Sequence, residues 1–302
     1  MIYTVTFNPA IDYVVHLPQA LTPDAVNRCT AEEYQFGGKG INVSVVLRAL
    51  GYESTALGFV AGETGRWLES GLTGLGVRTD FIRLLTGMTR INVKIKAGEE
   101  TEINGAGPMI APADVSALYR KLDALQGGDV LVLAGSIPAC MAGDTYEKIM
   151  ARLAGRDILI AVDATRDLLV NVLQYHPFLI KPNNHELGEI FGRELKTDAE
   201  IADCAAELQK RGARNVLVSM AGAGALLLDE NGSVHRIAAP QGTVRNSVGA
   251  GDSMVAGFLA GWLNTGDAAQ ALRLGAAAGS ATAFSLGLAT KADVEAVLKT
   301  ME

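Results

Sequence analysis

After residue 100, short and almost continuously apolar runs alternate with longer stretches whose apolar residues recur at helical spacing. Residues 130–134, 159–162, 178–180 and 216–219 are such runs, and 2–6 and 56–60 join them. Unbroken apolar runs mark strands buried on both faces, and their alternation with helices marks a parallel sheet built by crossovers. One predicted helix starts at Asp114, carries Val115, Leu118, Leu122 and Leu125 on one face, and stops at Gly127-Gly128. Another opens on Thr197-Asp198-Ala199-Glu200, a capping box, with Cys204 on its apolar stripe beside Ile201 and Leu208 as a packing residue. The expected fold is α/β.

Two segments break this rhythm, 11–17 and 88–103. In the second, Arg90, Asn92 and Lys94 alternate with Ile91, Val93 and Ile95, which puts polar groups on one face of a strand and apolar groups on the other. One reading is an ordinary half-exposed antiparallel edge. The other is a small inserted sheet acting as a lid, its polar side on a ligand and its apolar side in need of a cover such as a second subunit. Asp229-Glu230-Asn231-Gly232, between two apolar runs, reads as a hairpin turn.

Composition narrows the function classes. The chain has 302 residues, a net charge of −7, 49% apolar and 20% charged residues, a globular balance that argues against an electrostatic nucleic-acid binder. Its 34 glycines against nine prolines point to glycine used for something other than disordered linkers. Cys29, Cys140 and Cys204 are too few and too scattered for a disulfide framework or a C-x-x-C metal site, which fits a reducing compartment. The start, MIYTVTFNPAIDY, shows no basic stretch followed by an apolar run, and the longest apolar stretch, 254–263, is far short of the ~20 residues that span a bilayer. The expectation is a cytoplasmic protein with no membrane and no nucleic-acid partner. The glycosylation patterns at Asn42 and Asn231 are then chance matches.

Glycine leads into a helix twice. Val248-Gly249-Ala250-Gly251-Asp252 runs into Met254, Val255, Phe258, Leu259, Trp262 and Leu263 at helical spacing. Free amides and the positive dipole end attract anions there, and bare glycine lets a phosphate approach the backbone. Asp252 reads either as a plain cap or as a carboxylate that accepts a hydroxyl proton beside a held phosphoryl group. Gly37-Gly38-Lys39-Gly40 precedes a second helix, and Lys39 at its positive end suggests a bound anion, a solvated surface lysine being the alternative. Neither G-x-x-x-x-G-K-[ST] nor G-x-G-x-x-G occurs, so a Walker-type ATPase and a dinucleotide dehydrogenase lose their main support. Asn183 and Glu186 follow the strand 178–180, where open α/β sheets place ligands. They suit either Mg²⁺, held through its waters, or a capping box. His185 reads as a surface residue, and Ser219 to Gly224 as a nucleotide loop or a plain turn.

In this order, Asn8-Pro9-Ala10-Ile11-Asp12, Gly37 to Val43, Thr89-Arg90-Ile91-Asn92, Gly135-Ser136-Ile137-Pro138, Asn183 to Glu186 and Val248 to Gly261 resemble the ribokinase-like sugar kinases of the phosphofructokinase B family. The resemblance spans nearly the whole chain. It implies a single domain over 1–302 with a doubly wound, mostly parallel sheet flanked by helices, and a small β lid at about 11–17, 25–36 and 88–104. It implies ATP and Mg²⁺, with Asp252 as base and Gly249, Ala250, Gly251 and Asp252 as anion hole. Asn183 and Glu186 would organise the metal, while Lys181, Asn183, Ser219, Gly222, Gly224 and Gly251 would meet the nucleotide. Asp12, Gly38, Lys39, Asn42, Asn92 and Ser136 would meet the sugar, and Arg90 would grip a phosphate already on it. An arginine fork pairs with phosphate by parallel charge-assisted bonds, so the phosphosugar branch is implied over free sugars and nucleosides. The implied reaction is direct transfer to the C6 hydroxyl of fructose 1-phosphate, with tagatose 6-phosphate and fructose 6-phosphate as alternatives, in a homodimer joined through the lid. Asp163-Ala164-Thr165-Arg166 departs from the Ser-Gly that many relatives carry, which leaves that loop without an assigned role. A non-catalytic sugar-phosphate sensor on the same fold is the reading from another class.

Overall fold

The computed structural model describes residues 1–301, and Glu302, the last residue of the expected domain, lies outside them. Fourteen strands follow in chain order: β1 (Ile2–Thr6), β2 (Ala10–His16), β3 (Ala31–Gly37), β4 (Ser54–Ala61), β5 (Arg78–Thr79), β6 (Ile82–Leu84), β7 (Arg90–Ala97), β8 (Glu99–Asn104), β9 (Val130–Ala134), β10 (Leu159–Asp163), β11 (Leu179–Ile180), β12 (Asn215–Ser219), β13 (Ala225–Leu228) and β14 (Val234–Ile237). Ten of them form one sheet in the order β14-β13-β12-β11-β10-β9-β1-β4-β5, with β6 also on β4. Pairing is parallel from β12 across to β5 and β6, and antiparallel only for the two edge strands β13 and β14.

The apolar runs are buried on both sides because helices cover both faces. Leu131 and Leu133 of β9 pack with Leu118, Leu122 and Ile149 in one core, whereas Val130, Val132 and Ala134 pack with Val43, Val46 and Phe258 in the other. The two-residue period thus divides a single strand between two cores. The helix expected from Asp114 begins two residues earlier, at Pro112, because Asp114 Oδ2 accepts from the Ala111 N–H at 3.1 Å and so sits inside the first turn. Thr197 caps its helix as expected, Cys204 is buried, and the 229–232 segment turns between β13 and β14. Among the described residues no helix is long and apolar enough to cross a membrane.

From β1 the chain builds outward through β4 in one direction, then returns to lay β9 on the other side of β1 and builds the other way. Loops leaving the carboxyl ends of β1 and β9 therefore diverge to opposite faces, which opens a crevice.

Above that crevice stands a second, four-stranded sheet, ordered β3-β2-β7-β8. Its first strand in the lid order begins at Ala31, so residues 25–30 of the expected lid are loop instead. Asn27 explains the difference, since its side chain binds the Thr22 N–H and the Thr22 and Ala25 carbonyls and folds the segment on itself. The apolar side of the lid is covered at its root by the protein's own helix Gly62–Gly74. Ile11, Phe36 and Ile91 pack with Leu68 and Leu72 there, so no second subunit is needed for that part.

Candidate active site

A cleft of about 1000 Å³ lies between the carboxyl ends of the parallel strands and the polar face of the lid. Helices Lys39–Ala49 and Ala250–Thr265 aim their amino termini into it. Asp252, in the first turn of the second helix, is buried, yet it lines the cleft and accepts a 2.7 Å hydrogen bond on Oδ2 from Asn42 Nδ2 of the first. Burial pushes its carboxyl up to about 6, the charge of Asp163 adds to this, and the Asn42 bond with the ammonium groups of Lys39 and Lys181 holds it from rising further. A carboxylate balanced near 6 is a base at neutral pH that still takes up a proton readily. The capping alternative fails here, since the helix has no side-chain cap.

Gly249 ends the preceding loop in a left-handed conformation (φ 79°), and a Cβ there would stand 2.6 Å from Leu288 Cδ2. The Ala250 N–H already donates to Ser247 O at 3.2 Å, whereas Gly251 and Asp252 meet no backbone acceptor among the described residues. With Gly249, whose N–H likewise meets no acceptor among the described residues, three free amides rather than four thus line the cleft at the positive helix end.

Asp163, the last residue of β10, occupies the floor. Its Oδ1 holds Lys39 Nζ at 3.3 Å and Lys181 Nζ at 3.5 Å, while Oδ2 is buried without a partner. Burial would depress the Lys39 ammonium, but the charges of Asp163, Asp252 and Glu186 outweigh it and raise its affinity for the proton. Lys39 is therefore an ion-paired group of the cleft and not a solvated surface lysine. Sequence reasoning missed Asp163 as a site residue. Its one signal was an acid at the carboxyl end of a buried strand.

Asn183 and Glu186 bear out the capping-box reading. They form a capping box, with Asn183 Oδ1 accepting from the Glu186 N–H and Glu186 Oε2 from the Asn183 N–H, both at 2.8 Å, and they also line the cleft. His185 is exposed at the same edge. Ser219, the last residue of β12, and Gly222 just beyond it border the cleft, and Gly222 has open space where a Cβ would be. Gly224 also borders it, but its glycine is required by the fold: φ is +98° and a Cβ would lie 2.1 Å from Ile237 O.

On the lid side, Asp12 Oδ1 accepts from Asn92 Nδ2 at 2.8 Å, and Arg90 stands next along the same face. Desolvation lowers the Arg90 guanidinium's hold on its proton, and the nearby Asp12 charge opposes this. Its hydrogen bonds go to backbone oxygens, and among the described residues it has no carboxylate within ion-pair distance. Gly38 and Ser136 complete the expected set in the cleft, which also takes in Lys94, Glu102 and Asn104 of the lid. Toward helix Ala268–Phe284 the cleft turns apolar, with Val244, Val248, Ala276, Ala283 and Phe284. Apart from Val248, none of these residues stands in a motif that the sequence singles out.

The sequence pattern of pfkB family carbohydrate kinases matches residues 4–295. The chain is 46% identical to 1-phosphofructokinase of Bacillus subtilis, over 99% of this chain and 97% of that protein. It is 40% identical to D-tagatose-1-phosphate kinase of Bacillus licheniformis, over 95% of this chain and 94% of that protein. The crystal structure of Escherichia coli phosphofructokinase-2 in complex with fructose-6-phosphate superposes with a TM-score of 0.91 at 28% identity, covering 99% of this chain and 98% of that one.

Proposed function

The chain belongs to the pfkB family of carbohydrate kinases, and on that premise we propose that it phosphorylates fructose 1-phosphate at C6 with ATP, releasing fructose 1,6-bisphosphate and ADP. The observation that carries this reading is Asp252, a buried carboxylate with a pKa near 6 beside free helix amides at the junction of lid and floor. In the reaction Asp252 takes the proton of the C6 hydroxyl as its oxygen attacks the γ-phosphorus in line with the departing ADP oxygen. Asn42 fixes the carboxylate that receives it. The Gly251 and Asp252 amides meet the charge on the transferring group, where fixed donors in a water-poor site act most strongly. Lys181, whose Nζ would lie 3.1 Å from a Cβ at position 251, stands next to that group. The apolar lobe suits the base of the nucleotide.

For Mg²⁺ the donor set fits. Asp163 Oδ2 is a buried oxygen without a partner, and Glu186 keeps a free oxygen beyond its cap. Among the described residues no cluster of three acids, histidines or cysteines would seize a metal directly. Asp163, Asn183 and Glu186 would therefore hold it through water and phosphate oxygens, as this hard cation prefers. When bound, it neutralises charge on the donor phosphates.

Arg90, free of any carboxylate, favours an acceptor that already bears a phosphate. Tagatose 1-phosphate is the second reading, since a relative named for it is 40% identical. The relative bound to a 6-phosphate sugar is 28% identical, which supports that class less. Comparison of kcat/KM across fructose 1-phosphate, tagatose 1-phosphate, tagatose 6-phosphate and fructose 6-phosphate at fixed ATP and Mg²⁺ tests this. Fructose 1-phosphate should rank first, and preference for either 6-phosphate overturns the assignment. No ADP release with any of them would leave the sensor reading.

The working form is a homodimer in the cytoplasm. Tyr34, Tyr13, Val93 and Ile103 face each other in register across all four lid strands on the side away from the cleft. Tyr34 and Ile103 are 51% and 59% exposed. An apolar row of this breadth suits a second copy of the same face. Light scattering should give twice the chain mass, and Tyr34→Glu should halve it.

A further inference from the structure

We propose that Asn8 is a positioning residue for phosphate recognition, acting through Arg90. The proposal rests on the reading of Arg90 as the group that grips the acceptor's phosphate. Arg90 is the first residue of β7, at the root of the lid, and its guanidinium is oriented by two backbone oxygens. Nε donates to Asn8 O at 3.1 Å and an Nη donates to Gly105 O at 3.4 Å. The first oxygen belongs to the chain as it enters the lid through β2, and the second to the chain as it leaves through β8. The aim of the guanidinium is therefore set by how far apart these two crossing segments stand.

Asn8 fixes that separation. Its Nδ2 donates to Ala106 O at 2.9 Å, one residue past the carbonyl that Arg90 uses. Its Oδ1 is buried without a donor. The reverse orientation of the amide would set Oδ1 against the Ala106 carbonyl, so the Nδ2 bond decides the geometry and leaves the oxygen unmet. A buried acceptor without a donor is unfavourable, and an apolar side chain would fill the space without it. What asparagine supplies there is the clamp. Gly107 completes the fit: with φ +87°, a Cβ on it would lie 2.2 Å from Asn8 Oδ1. The same exit segment also braces Asn92 of β7 and, through it, Asp12 of β2, since the Gly105 N–H donates to Asn92 Oδ1 at 3.2 Å and Asn92 Nδ2 donates to Asp12. Asn8 itself borders the cleft, and loosening the clamp would let Arg90 swing while Arg90, Asn92 and Asp12 stay chemically intact.

The test is a double-mutant cycle of Asn8→Ala and Arg90→Ala, read as KM for fructose 1-phosphate and for ATP. Loss of one neutral hydrogen bond and of the aim it sets should raise the phosphosugar KM ~3- to 10-fold, with the ATP KM within about twofold. If Asn8 works through Arg90, Asn8→Ala adds nothing in the Arg90→Ala background. Asn8→Asp, of the same shape but with an oxygen facing Ala106 O, should reproduce the Asn8→Ala effect. Additive effects, or equal rises in both KM values, overturn the proposal, as does a normal phosphosugar KM in both Asn8 variants while Arg90→Ala is impaired. An unimpaired Arg90→Ala enzyme would instead remove the phosphate-gripping role of Arg90, a separate result. Melting temperatures of the variants identify one that merely fails to fold, and Asn8→Asp, which keeps the volume, then decides the question.

Discussion

The floor of the cleft and the lid above it treat charge in opposite ways. On the floor Asp252, Asp163, Lys39 and Lys181 interlock, so that each ion is balanced by its neighbours and the basicity of Asp252 is set by all of them. On the lid, Arg90 is half-buried with only backbone oxygens for partners. A balanced network holds a proton acceptor at a chosen affinity. An unmatched cation waits for an anion to be supplied from outside. The floor should accordingly govern turnover and the lid should govern which acceptor is held.

The sharpest way to break this division is Asp252→Asn. Removing a general base costs ~10²- to 10⁴-fold, so kcat should fall by about 10³ while ATP still binds, measured by coupled ADP release and by nucleotide titration. Near-normal turnover would take Asp252 out of the chemistry. The fold itself should not suffer. The carboxyl has a higher pKa folded than unfolded, so the native state binds the extra proton and ionised Asp252 weakens it. The neutral amide should leave Tm unchanged or raise it.

Arg90→Ala tests the lid. A charge-assisted bond to phosphate contributes ~1.5 to 3 kcal/mol, which converts to a rise of about 10- to 100-fold in the phosphosugar KM. The ATP KM should stay put. An equal rise in both would erase the distinction between the two halves.

Much of the floor was legible in the sequence, because glycines leading into helical periodicity are a backbone feature and need no knowledge of tertiary contacts. Runs such as 130–134 were legible for a similar reason: burial on both faces leaves no polar position to blur the pattern. Asp163 was not legible, since one acid at a strand end acquires meaning only when Lys39 and Lys181, far apart in sequence, meet on it. The apolar lobe was hidden for the opposite reason, its Ala276, Gly279 and Ala283 being residue types that let helices pack closely. On the lid, alternation revealed the polar face of β7, but the loop 25–30 carries no period and was folded into a strand that begins only at Ala31.

The coupling within the floor gives a smaller effect with a definite sign. With Asp252 titrating at about 6, the logarithm of kcat/KM should rise with pH on an acid limb and level off above about 6. Burial and the Asp163 charge both raise that pKa, so Asp163→Asn should move the limb to lower pH, whatever it does to the plateau. Stability follows the reverse course. Between the unfolded carboxylate range and about 6 the native state holds more protons, so the Asp252 contribution to stability falls as pH rises. A limb that stays in place in Asp163→Asn would mean that the two acids do not sense each other.

The smallest expected effect lies within the lid and asks why Arg90, and not its neighbour on the same face, is read as the phosphate group. Lys94 also lines the cleft, but its Nζ lies 3.2 Å from Glu102 Oε1, directly opposite it across the β7–β8 pair. The Lys94 bond, ahead of the burial that opposes it, holds the Glu102 carboxyl below its usual range. A cation already matched by a carboxylate gains little from a phosphate, because the old pair must break first. Glu102 is exposed although Lys94 is largely covered, and a pair with one partner in solvent is worth ~0 to 1 kcal/mol, so Lys94→Gln should change the phosphosugar KM by less than about fivefold. It should shift Tm only slightly. If instead Lys94→Gln matched Arg90→Ala, the contrast between paired and unpaired cations would fail as the rule for this lid, and Glu102 would have to be read as a counter-charge that the acceptor displaces on binding.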